Sequence, residues 1–182
     1  ASRPQKGQGT QVEFEHVSFT YPGAARPALS DVSFTVRPGS TVALVGPSGG
    51  GKTTAGSLIP RFWDVTAGRV TVGGVDVREM DAQALMRQVA FVFQDTRLFK
   101  QSILENIRAA RPEASREQVM EAALAAQCGD ILEKLPEGLD TVIGTKGVYL
   151  SGGDCQRIAL ARAILKDAPI IVLDEASAFA DP

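Results

Sequence analysis

A chain of 182 residues, 44% hydrophobic and 22% charged, has the makeup of a soluble globular protein and the length of one ordinary domain with a full core. Its formal net charge of -2 leaves no basic footprint for a polyanion, so no nucleic-acid partner is expected. No apolar run approaches the ~18 residues of a membrane helix and no signal peptide opens the chain, so a membrane role would require another segment as anchor.

Residues 1–11 read as a linker or frayed terminus, polar through Thr10 with Pro4, Gly7 and Gly9. Val12-Glu13-Phe14-Glu15 alternates apolar and charged side chains, which starts a strand. Val32 to Val36 predicts a second strand, closed by the turn Pro38-Gly39, and Thr41 to Val45 a third. A helix is expected behind that run, ending near Pro60. Arg69–Val72 and Val75–Val77 flank Gly73-Gly74 as a hairpin. Asp81 can cap a helix running to about Gln88, and Val89 to Phe93 is a nearly all-apolar strand suited to burial on both faces. From Gln94 to Lys166 the pattern is helical: Ser102 with Glu105 and Ser115 with Gln118 have capping-box spacing, and Pro136-Glu137-Gly138 interrupts. A long helix should start at Ser151, with Ile158, Ala161, Ile164 and Leu165 on one face, and Ile170 to Leu173 should be another buried strand. Cys128 and Cys155 have neither CxxC spacing nor a neighbouring histidine, which argues for reduced thiols rather than a zinc site.

Three stretches carry chemistry. Gly46-Pro47-Ser48-Gly49-Gly50-Gly51-Lys52-Thr53, followed by Thr54, lies between an expected strand and an expected helix. Glycines let a backbone curl so that several N–H groups aim at one point, and the helix N-terminus adds roughly +0.5 charge. Lys52 brings a mobile positive charge to the outer phosphates of a nucleotide, and the Thr53 hydroxyl can complete the shell of a magnesium ion. Asp174 and Glu175 end the apolar run Ile170 to Leu173. Ligands of open α/β sheets sit at such carboxyl ends, so Asp174 is expected to hold magnesium through water and Glu175 to orient or deprotonate an attacking water. In Leu150-Ser151-Gly152-Gly153-Asp154-Cys155-Gln156-Arg157, Ser151 and Asp154 can form a capping box. That accounts for the Ser and the Asp, but not for two glycines at a helix start, which cost stability yet bare their N–H groups to an anion.

Together these stretches resemble the nucleotide-binding domain of an ATP-binding cassette (ABC) protein, with the match running from Val12 to the end. Gly46 to Thr53 is similar to Walker A, Ile170 to Glu175 to Walker B, and Leu150 to Gln156 to the LSGGQ signature between them. The resemblance implies an α/β phosphate-loop NTPase core (RecA-like) with an antiparallel β-subdomain and an inserted α-helical subdomain at about residues 95–166. It also implies Mg-ATP binding and hydrolysis. Tyr21 matches the aromatic that stacks on adenine, Gln94 the glutamine that senses magnesium and the attacking water, and Asp181 an aspartate that reaches across a dimer. Two such domains pair head to tail, so Ser151, Gly152 and Gly153 would meet ATP held by a second, identical or different, nucleotide-binding domain. The run Phe91 to Ile107, with Phe99 and Glu105-Asn106-Ile107, resembles exporter-type members. It implies a transmembrane domain fused N-terminally and a place on the cytoplasmic face of the membrane. The ending Ala-Phe-Ala-Asp-Pro resembles members linked to iron–siderophore uptake.

Departures matter as much. Asp154 stands where glutamine is usual; a carboxylate near a phosphate repels it unless it turns back onto its own helix, and Asp154→Gln is expected to leave activity equal or higher. Thr145 replaces an expected glutamate in Gly144-Thr145-Lys146-Gly147. The family's switch histidine has no counterpart after His16, which reads as an ordinary strand residue, so the chain reads as truncated at its C-terminus. The competing expectations are a soluble ABC ATPase and a nucleotide-binding module without turnover. A GTPase is disfavoured because no Asn-Lys-x-Asp motif is present.

Overall fold

The computed structural model describes residues 10–40, 42, 51–93 and 96–174. The expected strand at 41–45 apart from Val42, the loop residues Gly46 to Gly50, and the candidate site residues Gln94, Glu175 and Asp181 lie outside the described residues. Two compact units result, one ending at Val89 and the other beginning at Ala90.

The first unit is built on an antiparallel sheet in the order β2-β1-β3-β4. β1 (Val12–Phe19) lies between β2 (Leu29–Val36) and β3 (Ala67–Val72), because its alternating apolar residues Val12, Phe14, Val17 and Phe19 all point into the core. Val12 faces Val36 on one side and Val72 on the other, and the Phe14 and Phe34 rings stack at 4.4 Å across the β1–β2 pair. β2 starts three residues earlier than its apolar run suggests, since Leu29 pairs with Phe19. The expected hairpin is present, with Gly73 and Gly74 at φ 60 and 82 supplying the two left-handed residues of a tight turn. Its second strand β4 is only Val75–Asp76, because the Asp76 side chain accepts from the Arg78 N–H and tips Val77–Glu79 into a 3₁₀ turn. α1 (Lys52–Leu58) and α2 (Ala82–Gln88) complete the unit, α2 capped by Asp81 through the Ala84 N–H as expected.

His16 is not an ordinary strand residue. It sits at a break in the β1–β2 and β1–β3 registers with φ 47, opposite Asp31 at φ 48 on β2. Each backbone N–H donates to a serine of the other strand, His16 to Ser33 and Asp31 to Ser18, and the two side chains pair at 2.7 Å. A bulge leaves amide groups without ladder partners, and these serines take them.

The second unit is mainly helical. β5 (Val89–Val92) hydrogen-bonds to β6 (Ile170–Leu173), and α3 (Ile103–Arg108), α4 (Arg116–Ala125), α5 (Gly129–Lys134) and α6 (Gly152–Lys166) follow the expected pattern. Ser102 and Ser115 cap α3 and α4 as their spacing predicts. α6 has two buried faces. Ile158, Ala161 and Leu165 enter a cluster with Ile103, Ile107, Val119 and Ile131, whereas Ala159 and Ala163 pack on Ala90 and Val92 of β5. The strand pair is less buried than its sequence suggests: Ile171 is 38% exposed and Phe93, just past β5, is 53% exposed. Among the described residues, each of these two strands has one strand neighbour only.

Candidate nucleotide site

In the first unit, α1 opens on Gly51, whose φ of 85 places it in the left-handed region. A Cβ there would come within 2.5 Å of the Ala28 carbonyl oxygen and 2.8 Å of a Leu29 methyl, so both conformation and space demand glycine. The backbone thus turns into the helix against the start of β2. Lys52 is half-buried, Thr53 exposed and Thr54 buried on successive positions of the first turn. The Ser57 hydroxyl donates to the Thr53 carbonyl at 2.7 Å, which stiffens that turn.

Tyr21 lies two residues past the end of β1 and is half-buried. Its hydroxyl is 2.7 Å from Thr54 Oγ1, so the fold joins two residues expected to contact the nucleotide, one on the base side and one on the phosphate side. The ring is held edge-to-face by Phe19 at 4.8 Å and by Trp63 at 5.3 Å. Trp63 comes from the turn that ends α1. There Arg61 adopts φ 60, the Phe62 N–H returns to the Ser57 carbonyl, and the Arg61 guanidinium grips Asp64 at 2.6 Å. This is the helix-ending geometry usually given to glycine. Sequence reasoning did not single out Trp63; its signal was the chain's one tryptophan, next to Phe62 in the turn after Pro60.

In the second unit, the signature stretch forms the start of α6. Ser151 Oγ accepts from the Asp154 N–H and Asp154 Oδ2 accepts from the Ser151 N–H, each at 3.1 Å, a complete capping box. Gly152 is exposed, and a Cβ added to it would meet nothing within 4 Å. Packing therefore does not require the absence of a side chain there. Asp154 does turn back onto its own helix, where its other oxygen accepts from Arg157 Nη2 at 2.8 Å. Arg157 Nη1 also donates to Asp130 Oδ1 and to the Gln127 carbonyl, both at 2.9 Å. Burial pulls the Arg157 guanidinium pKa down, but its hydrogen bonds to the Asp130 and Asp154 carboxylates outweigh that and raise it. The hydrogen bond from Arg157 lowers that of Asp130.

Asp174 follows β6. Its N–H donates to the Val92 carbonyl at 2.9 Å, which extends the β5–β6 ladder by one residue. Its carbonyl accepts from Gln156 Nε2 at 2.7 Å, and Gln156 is buried. The signature helix and the end of the Walker B-like strand are thereby joined through one amide side chain. Gln156, Arg157 and Asp130 are the residues sequence reasoning missed. A large polar side chain five positions past the Ser151 cap, on the inward side of a helix, was the available sign. Within α3, Asn106 is fully buried; it accepts from the Phe99 N–H at 2.8 Å and donates to the Phe99 and Ser102 carbonyls at 3.0 Å. Arg162 reaches the Asn106 carbonyl at 2.8 Å and lies 5.5 Å from the Phe99 ring centre.

The Thr53 hydroxyl in the first unit and the Asp174 carboxylate in the second are each oxygen donors of the kind magnesium prefers. The space a Cβ would fill at Gly51 is closed by the Ala28 carbonyl and a Leu29 methyl.

Comparison with known proteins points to one family. Residues 29–178 match the sequence family described as ABC transporter. The chain is 52% identical over 171 residues to an ATP-dependent lipid A-core flippase of Methylobacillus flagellatus, covering 93% of this chain and 29% of that protein. It is 50% identical over 183 residues to the mycobactin import ATP-binding/permease protein IrtA of Mycolicibacterium thermoresistibile, covering 100% of this chain and 20% of that one. Among solved structures, a bacterial Atm1-family ABC exporter with ATP bound superposes with a TM-score of 0.83 at 41% identity, over 96% of this chain and 30% of the exporter chain. The chain thus spans less than a third of each of these proteins. Glycine-started α1, self-capped signature helix and family match all fall within one continuous stretch, and the chain belongs to the ABC transporter family as a nucleotide-binding domain of the exporter type.

Proposed function

We propose that the chain is the ATP-hydrolysing domain of a membrane transporter, working head to tail with a second nucleotide-binding domain around two Mg-ATP. The observation that carries this reading is the signature helix. Its first turn is fully capped by Ser151 and Asp154, yet it keeps two glycines, one of which has open space around it. A helix start that gives up side chains where packing does not ask for it is built to be approached by an anion. Lys52, Thr53 and Thr54 would hold the phosphates of the chain's own ATP, with Tyr21 against the base and Thr53, Gln94 and Asp174 around magnesium. Glu175 would act on the attacking water, and Asp181 would face the second domain. The glycine loop Gly46 to Gly51, with Pro47 and Ser48, would wrap the phosphates. Bound magnesium would supply charge neutralisation at the outer phosphates.

The relatives' names, with their permease and exporter functions, support a transmembrane domain in the same polypeptide, and a place on the cytoplasmic face of the membrane follows from the family resemblance alone. Among the described residues no helix is long and apolar enough to cross a bilayer. For the cargo, a siderophore is supported by the ending Ala-Phe-Ala-Asp-Pro together with the name of the mycobactin import relative, although a lipid A-core flippase aligns with the whole of this chain at a similar 49% identity. The experiment is Mg-ATP turnover by the complete gene product, with Glu175→Gln and Lys52→Ala. Turnover abolished by the first and ATP binding lost in the second support the reading. Turnover that survives Glu175→Gln overturns it.

A further inference from the structure

The signature stretch carries a negative charge at Asp154, three residues into a helix whose start is proposed to receive a phosphate. Both oxygens of that carboxylate are engaged: Oδ2 by the Ser151 N–H at 3.1 Å and Oδ1 by Arg157 Nη2 at 2.8 Å. Arg157 is not a loose surface arginine. Its other arm is fixed by Asp130 Oδ1 and the Gln127 carbonyl, both at 2.9 Å, next to the start of α5. Its side chain is 31% exposed and that of Asp154 25%. A guanidinium anchored on three groups cannot swing away, and its fork fixes the direction of the carboxylate as well as cancelling its charge.

We infer that Arg157 is a positioning residue for the signature segment. It holds Asp154 back along its own helix and neutralises it, which leaves the Gly152 and Gly153 N–H groups open to an anionic phosphate. The inference rests on the reading that this helix start meets ATP held by a second domain. It goes further in making Arg157 the reason an aspartate is tolerated at that position. Without Arg157 the carboxylate keeps its cap on Ser151, but its charge is uncompensated beside the incoming phosphate. An uncompensated unit charge near the phosphate in a half-exposed site is expected to cost about tenfold in affinity.

The test uses the complete gene product and compares Arg157→Gln with the double variant Asp154→Gln/Arg157→Gln. Arg157→Gln is expected to raise the ATP concentration at half-maximal turnover about tenfold, with turnover at saturating ATP within about twofold of the parent. The double variant is expected to return half-saturation to within about threefold, because a neutral glutamine at 154 no longer repels phosphate and still caps the helix. An arginine that served only to bind Asp130 and the Gln127 carbonyl loses those bonds in both variants alike, so the absence of rescue overturns the inference. If Arg157→Gln does not fold, as judged by thermal unfolding, Arg157→Lys replaces it. Lysine keeps the charge without the fork, and half-saturation within about threefold of the parent is expected; a tenfold rise that Asp154→Gln does not reverse overturns the inference. Parent turnover that is insensitive to Glu175→Gln sinks the proposed function instead, which separates the two failures.

Discussion

Gly51→Ala offers a quantitative check on the turn that opens α1. Two separate costs are readable from the geometry. The first is the backbone: at φ 85 a side chain costs about 1–2 kcal/mol. The second is space: the new Cβ would sit 2.5 Å from the Ala28 carbonyl oxygen, which is backbone and cannot step aside as a flexible side chain would. Overpacking of this kind costs about 1–3 kcal/mol, giving a total of about 2–5 kcal/mol. Gly74→Ala isolates the first cost, since Gly74 has φ 82 and nothing within 4 Å of its would-be Cβ; about 1–2 kcal/mol is expected there. Urea unfolding followed by the fluorescence of Trp63, the chain's one tryptophan, reads both variants in the same unit. A Gly51→Ala loss equal to that of Gly74→Ala within about 0.5 kcal/mol would refute the close approach of the phosphate-loop helix to Ala28.

Three further outcomes are expected. Gly152→Ala should raise stability by up to about 1 kcal/mol, because alanine suits a helix better and finds open space, while turnover of the complete gene product falls; undiminished turnover would remove Gly152 from the phosphate contact. Burial pushes the Cys128 thiol up to about 11 from an ordinary 9.0. The stability it contributes is therefore complete below pH 9 and fades as pH rises toward 11, by about 2–3 kcal/mol in all. Urea titrations at pH 8 and 10.5 should show a drop that Cys128→Ala makes smaller, and an equal drop in both would contradict the burial. Asn106→Ala removes three short hydrogen bonds from a fully buried amide and should cost about 3–5 kcal/mol. A thermal-unfolding loss under about 1 kcal/mol would mean that the 99–102 loop is not held by this side chain.

What the sequence made legible was local. Asp81, Ser102, Ser115 and Ser151 each cap the helix their spacing predicts, because a cap is a contact across three residues. The Gly73-Gly74 hairpin and the apolar face of α6 follow from period and turn chemistry in the same way. The glycine loop, the signature and the Asp-Glu pair were legible as motifs, although Gly46 to Gly50, Gln94, Glu175 and Asp181 lie outside the described residues. The contacts around the candidate residues within each unit were not legible. Tyr21 meets Thr54 across 33 positions, Arg157 meets Asp130 across 27, and Gln156 meets the Asp174 carbonyl across 18. Such pairings leave no periodic trace, since either partner alone reads as an ordinary polar residue. The His16–Asp31 bulge escaped for a related reason: two left-handed residues facing one another break the alternation on which a strand is recognised.

The division of α6 into two buried faces restricts how the signature can move. Ile158 and Leu165 on one side and Ala159 and Ala163 on the other differ in bulk, so a rotation about the helix axis would drive branched side chains into the space left for alanine. A slip along the axis would tear Gln156 from the Asp174 carbonyl. The helix is keyed to the strand pair as a splined shaft is to its hub. A displacement of α6 would therefore carry β5 and β6 with it.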